Sequence, residues 1–279
     1  MLVLKKFAQD RSAVLGFVIV LAVALIAIFG PWLAPYPQDA TQSRLLQRLK
    51  PPSAMFPFGT DNLGRDILSR VILGARGALK VALLVVLGAM AIGIPLGLAA
   101  GYGRGWVSEL IMRVTDVFLA LPQLILALAL AQLLGPSLES AMIALTFTYW
   151  PFFTRIVYSE TRRLRASLFI DALEGLGAHP ARIVFLHILP NAASPVIVRA
   201  TIGLGFTILV AATLGFLGMG ATPPDPDWGL AISQSRTFLP NAWWYATFPG
   251  LAILLTVLGF NLLGDGLRDI LDPRLRRSR

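Results

Sequence analysis

The side chains able to do chemistry in this sequence are few, and they are badly placed for catalysis. The 279-residue chain has no cysteine and only two histidines, His179 and His187. Disulfide frameworks, thiolate metal sites and a cysteine nucleophile are therefore excluded, and two histidines cannot by themselves build a histidine metal site. Asp225 and Asp227 form a carboxylate pair around Pro226, in a proline-rich turn where solvation rather than acid–base work is expected. The lysines are Lys5, Lys6, Lys50 and Lys80, and no G-x-x-x-x-G-K-[ST] phosphate loop surrounds any of them. Neither H-E-x-x-H nor G-x-S-x-G occurs. Glu109, Arg113 and Asp116 recur at i, i+4 and i+7, so they share one helical face and can neutralise one another. Asp265 and Arg268 are expected to form a second structural ion pair.

One polar stretch differs in kind. Phe169 to Asn191 reads FIDALEGLGAHPARIVFLHILPN, with an acidic start, Gly177 and His179–Pro180 in the middle, and Pro190 near its end. These signals predict a very short helix, a break, and a second helix of about two turns that stops at Pro190. Such a helix, with exposed backbone at both ends, is a poor catalyst and a good docking plug.

The elements that must carry this plug are apolar. The chain is 56% hydrophobic and only 14% charged, with a mean hydropathy of +0.71, whereas soluble domains carry about a quarter charged residues. A membrane protein is the expected class, with lipid as its surroundings. The net charge of +9 sits beside apolar runs, so it reads as topological charge at a membrane face, and no nucleic-acid partner is expected.

Six spans are predicted. The first covers Ala13 to Leu33, after Lys5, Lys6 and Arg11. It exceeds a usual signal-peptide core and lacks a small-x-small cleavage site, so an uncleaved span is expected. Residues 37–80 then form a polar extracytoplasmic loop in which Asp61 and Asp66 can cap backbone amides. The remaining spans are predicted over Val81–Ala100, Val107–Leu134 with a kink or interruption at Pro122, Ser140–Ile156, Pro195–Met219 and Tyr245–Leu263. The division is thus an N-terminal unit, 1–80, with its span at about 13–33, and a five-span core, 81–279. The core holds the plug-bearing loop at about 157–191 and the basic tail Arg274, Arg276, Arg277 and Arg279. The positive-inside rule puts both termini and the 157–191 loop in the cytoplasm, against the basic residues of 37–80. Trp228, Trp243 and Trp244 read as an outer interfacial belt.

Six spans, an inward plug and no catalytic machinery point to a non-enzymatic, pore-forming subunit powered from elsewhere. A stand-alone secondary transporter or channel would need an intramembrane ion site, yet the charges cluster at span ends. An adaptor that only scaffolds its partners is the third class.

Asp171–Ala172–Leu173, then Gly177, then His187–Ile188–Leu189–Pro190 resembles the EAA loop of ABC importer permeases in both residues and register. Asp171 replaces the pattern's Glu, and Leu173 its second Ala. Further stretches resemble the C-type permease of the peptide/nickel importers: Phe58–Gly59–Thr60–Asp61, Gly64–Arg65–Asp66, Met112–Arg113 with Asp116, Leu214 to Gly218, and Asn261 to Asp269 followed by Leu271–Asp272–Pro273–Arg274. The resemblance covers nearly all of the chain after residue 10.

It implies an all-α polytopic protein of the bacterial cytoplasmic (inner) membrane with the type I importer permease fold and a cytoplasmic coupling helix. It implies a homologous B-type permease, two ATPase subunits that bind the ATP and magnesium, and an extracytoplasmic solute-binding protein. No cofactor is expected in this chain. The ATPase-docking residues it marks are Asp171, Ala172, Leu173, Leu176, Gly177, His187 and Pro190. Asp171 suits a helix start, Gly177 a left-handed cap, and Pro180 and Pro190 fixed angles between pieces. Ile170, Leu173 and Leu176 are spaced for one apolar side. The implied cargo is a dipeptide, a longer or D-amino-acid peptide or glutathione, with nickel or a metal chelate as the alternative.

Overall fold

The computed structural model describes residues 10–271, and its regular elements are all helical, apart from one isolated bridge between Thr60 and Asp66. Lys5, Lys6, Asp272–Pro273 and the arginines from Arg274 onward lie outside the described residues. The helices are α1 (Arg11–Leu33), α2 (Ile67–Tyr102), α3 (Trp106–Ala120), α4 (Gln123–Leu134) and α5 (Leu138–Arg165). After them come α6 (Leu168–Gly175), α7 (Pro180–Phe216), α8 (Trp228–Ser235) and α9 (Trp243–Leu271).

Among the described residues, α1, α2, α7 and α9 are long and apolar enough to cross a membrane. α3 and α4 qualify together as one broken span, bent by 91°. The break is local chemistry. Leu121 precedes Pro122, whose ring drives it out of the helical region to φ −83°, ψ 136°. α5 does not qualify, although a span was expected over Ser140–Ile156. Its closing turns carry Glu160, Arg162, Arg163 and Arg165, and its middle is rich in Thr and aromatic residues. That middle is sheathed by other helices, with Tyr149, Phe153 and Val157 fully buried, so it needs less apolar surface of its own.

α5 is held by α2 through a stripe of glycines. Gly93, Gly97 and Gly101 recur every fourth residue and bring the two backbones together. A Cβ on Gly97 would lie 2.6 Å from Val157 Cβ and 2.7 Å from the Thr154 carbonyl oxygen, and the Thr154 hydroxyl donates to Gly93 O at 3.2 Å. Gly97→Leu is expected to cost about 1–3 kcal/mol by overpacking. Thermal unfolding of the purified protein measures it, and an unchanged midpoint would show that the helices can part without loss. α1 and α9 meet in the same way. Gly266 faces Ala13, Gly259 faces Ile19, and a Cβ on Gly16 would lie 2.5 Å from Leu263 N. The start of α1 and the end of α9 therefore share one end of the bundle.

The opposite end is a polar knot. Asp61 is fully buried; its Oδ1 accepts from Leu63 N at 2.8 Å and Arg65 N at 2.9 Å, and its Oδ2 accepts from Arg65 Nε at 2.6 Å. Asp66 caps α2 by accepting from Ser69 N at 2.8 Å. Arg70 reaches across to the carbonyls of Ala40, Pro224 and Asp225, stitching residues 37–66 to the loop before α8. Trp244 Nε1 donates to Thr60 O at 3.2 Å, and Trp228 Nε1 to Val71 O at 2.9 Å. The tryptophans predicted as an interfacial belt thus divide: Trp228 and Trp244 are buried anchors of this knot, while Trp243 is half exposed. Gly64, at φ +77°, is obligatory here, because a Cβ would lie 1.9 Å from Arg44 O. Burial holds the Asp39 and Asp66 carboxyls above the ordinary carboxylate range.

Candidate functional site

α6 projects from the end of the bundle where α2 and α5 finish. After Arg165 the chain turns through Ser167, whose carbonyl accepts from Ile170 N at 2.9 Å and Asp171 N at 3.2 Å. Asp171 lies in the first turn, where the helix dipole favours a carboxylate. The helix ends in a paired-amide cap. Gly177, at φ +77°, donates to Glu174 O at 3.0 Å, and Ala178 N donates to Leu173 O at 3.0 Å. Only a residue free to adopt positive φ closes a helix so abruptly.

The apolar side predicted to face outward, Ile170–Leu173–Leu176, is divided, whereas Asp171, Ala172 and Gly177 are exposed as expected. Ile170 is 2% exposed and packs with Ile183, Ile188, Val157 and Leu98, and Leu173 is half-buried against the same cluster. The Ile170–Leu173 side is spent on the protein's own core, as an eight-residue helix too short to be stable alone requires. Leu176 does point out, at 84% exposed, and with it stand Leu168 (86%) and Phe169 (55%), beside exposed Asp171 and Ala172. Neither Leu168 nor Phe169 is among the docking residues marked in the sequence, because they precede the motif and break the i, i+3 spacing.

The second predicted helix does not stop at Pro190. It runs from Pro180 to Phe216 without a gap, and Pro190 sits inside it. The reason is a wide turn at Val184–Ile188, where Leu189 N bonds back to Val184 O. Such a turn shifts the ladder by one residue, just where proline offers no N–H and crowds the preceding turn. Asn191 Nδ2 supplies a further donor to His187 O at 2.6 Å. His187 is half-buried, edge-on to Phe169 with ring centroids 5.4 Å apart, so it links α7 to α6. His179 caps α7, its Nδ1 accepting from Ala181 N at 3.3 Å.

A clasp unmarked in the sequence ties α6 to α2. Tyr102 Oη donates to Glu174 Oε1 at 3.1 Å, and Arg165 bonds Tyr102 O while its guanidinium lies 4.7 Å from the Tyr102 ring. Any displacement of α6 therefore pulls on α2. Tyr102→Phe removes the hydroxyl contact alone, at a cost of about 1 kcal/mol. Thermal unfolding of the purified protein measures that cost, and an unchanged midpoint would show that the clasp does not hold α6 to α2.

The predicted ion pairs fare unequally. Arg113 Nη2 meets Glu109 Oε1 at 2.6 Å on the surface. Asp116 does not join them: it pairs with Arg155 of α5, because its turn of α3 faces that helix. No ion pair joins Asp265 to Arg268 among the described residues; both are exposed, and Arg268 lines a cleft between α5, α7 and α9 instead. No group of three His, Asp or Glu side chains able to hold a metal occurs among the described residues.

Residues 93–277 match the family described as the binding-protein-dependent transport system inner membrane component, and residues 1–52 match the N-terminal TM domain of oligopeptide transport permease C. The chain is 47% identical over 278 residues to the dipeptide transport system permease protein DppC of Escherichia coli, covering 97% of this chain and 92% of that one. It is 46% identical over 272 residues to the DppC of Alkalihalophilus pseudofirmus, covering 98% and 89%. It is 43% identical over 257 residues to the probable D,D-dipeptide permease DdpC of Escherichia coli, covering 92% and 86%. Among solved structures, an inward-facing MetNI methionine ABC transporter chain shares the fold, with a TM-score of 0.59 at 20% identity over 72% of this chain and 96% of that one.

Proposed function

The chain belongs to the binding-protein-dependent transport inner-membrane component family, and from that premise we propose that it is the C-type permease of an ATP-driven peptide importer. The carrying observation is α6: a short capped helix that uses one face to hold itself to the core and presents Leu168, Phe169, Asp171, Ala172 and Leu176 outward. That is the shape of a plug for another subunit. The proposed partners are a homologous B-type permease, two cytoplasmic ATPase subunits holding ATP and magnesium, and an extracytoplasmic binding protein. In this reading the permease supplies no catalytic group. Nucleotide-driven movement of the ATPases displaces α6, and the Tyr102–Glu174 and Phe169–His187 contacts pass that displacement to α2 and α7.

The membrane arrangement proposed with it has six passes, the bent α3–α4 pair and α5 supplying the third and fourth. α6 and both termini face the cytoplasm, and the Asp61 knot faces outward. Because the chain lacks cysteine, single cysteines at exposed Ser53 and Ala181 can report sidedness; labelling of Ala181→Cys from outside would reverse the orientation. Dipeptides are the favoured cargo on the names of the relatives. The test is ATP-dependent uptake by the complex reconstituted with its binding protein, across a panel of dipeptides, longer peptides and nickel chelates. A lone chain that moves solute without ATP would overturn the reading, as would a complex that takes only the chelates.

A further inference from the structure

The cleft of about 500 Å³ between α5, α7 and α9 opens at the same end of the bundle as α6. Three arginines face it, one from each helix: Arg163, Arg199 and Arg268. The one carboxylate among its lining residues, Glu160, is already taken by Arg163 at 2.6 Å. Arg199 and Arg268 have no carboxylate partner among the described residues.

Arginines at such an end ordinarily satisfy the positive-inside bias by extending into water. Arg199 does not. Its guanidinium lies 4.7 Å from the Phe152 ring and 5.4 Å from the Tyr149 ring, and its buried Nε has no hydrogen-bond partner among the described residues. It stands about 12 Å farther along α7 than Asn191 at the cleft mouth. Two aromatic rings thus hold a planar cation in place with donor capacity unspent, beside the apolar wall of Ile156, Pro195 and Ile202.

We propose that this cleft is an oxyanion site. It takes a carboxylate or phosphate on an apolar body, with Arg199 as the inner contact and Arg268 as the outer one. Two sources carry that chemistry: the α-carboxylate of a transported peptide on its way out, or the headgroup of an anionic phospholipid. The first rests on the peptide-importer reading and makes Arg199 a specificity-determining residue on the pathway; the second stands without it.

The test uses the assembled permease–ATPase complex without binding protein in phosphatidylcholine nanodiscs, nucleotide-free for the binding arm and with ATP and magnesium for the rate arm. One arm measures fluorescence anisotropy of an N-dansyl dipeptide with a free carboxylate and of its C-terminal amide. The other replaces part of the lipid with phosphatidylglycerol and reads the ATPase rate. With a peptide source, the acid binds about tenfold more tightly than the amide, and Arg199→Gln and Arg268→Gln each erase the difference. With a lipid source, acid and amide bind alike, and phosphatidylglycerol changes the ATPase rate of the wild type but not of the variants. Arg199→Lys keeps the charge, loses the planar stack, and falls between. Wild type and both glutamine variants behaving alike in both arms overturn the proposal. If Arg199→Gln does not fold, Arg268→Gln, at an exposed position, decides alone. Failure of the importer reading shows separately, as an intact complex with binding protein that moves no peptide on ATP.

Discussion

Leu168→Asp combined with Leu176→Asp is expected to abolish ATP-driven uptake while leaving a folded permease in the membrane. Both side chains are more than four-fifths exposed and touch no part of the core cluster that anchors α6, so the isolated fold loses almost nothing. In a docked complex each leucine would be buried, and each fully buried leucine contributes about 1.5–3 kcal/mol. Losing two, before the cost of desolvating two carboxylates, weakens association by about two to four orders of magnitude. The readout is co-purification of the ATPase subunits together with peptide uptake. Ile170→Asp is the contrasting control. Ile170 is buried, so that variant is expected to reduce the amount of folded protein as well. Retention of ATPase binding by the double variant would remove this face of α6 as the docking surface. Asp171→Ala isolates the polar part of the same contact; unchanged binding and uptake there would leave Asp171 a helix-start residue and nothing more.

The two faces of α6 also mark where sequence reading stops. Its existence, its acidic first turn and its glycine cap are written in local chemistry: Asp171 near a helix start, and Gly177 in the only conformation that ends the helix so sharply. Which side faces outward is not local. Ile170 and Leu173 satisfy the spacing of a docking face, but the same spacing serves to bury a helix against its own protein, and here the core claims them. Pro190 misleads for a related reason. Proline is read as a stop, yet a wide turn one step earlier removes both the missing bond and the clash, and nothing in VFLHI announces it. Asp116 is placed on the surface of its helix by periodicity, but its partner Arg155 comes from another helix that periodicity cannot see. The apolar runs, by contrast, were legible because lipid exposure demands an unbroken composition. α5 was less so, since a helix wrapped by neighbours is released from that demand. Arg199 and the Tyr102 clasp carry no sequence signal, being made of residues brought together only by packing.

Asp61→Ala is expected to be the most damaging single change at the far end of the bundle. Asp61 is fully buried and satisfies two backbone amides and the guanidinium of Arg65, itself 1% exposed, with Arg70 Nε 3.7 Å away. Removing the carboxylate leaves a buried cation without its partner, which costs about 3–5 kcal/mol against a typical total stability of about 5–15 kcal/mol. Asp61→Asn can keep the Oδ1 acceptor for the two amides but turns an NH2 donor toward Arg65 Nε in place of the Oδ2 acceptor, so it breaks the ion pair while sparing the turn. The informative comparison is the pair. Asp61→Ala with Arg65→Met removes both charges, and the unpaired-cation part of the penalty should vanish while the lost amide contacts remain. Thermal unfolding of the wild type, Asp61→Ala, Arg65→Met and the double variant gives the coupling directly. If the double variant is no more stable than Asp61→Ala alone, the knot depends on the shape of the turn rather than on the ion pair. Because Arg70 ties this knot to the loop before α8, the same variants should also expose that loop to proteolysis. Damage confined to residues 37–66 would show that the two loops hold independently.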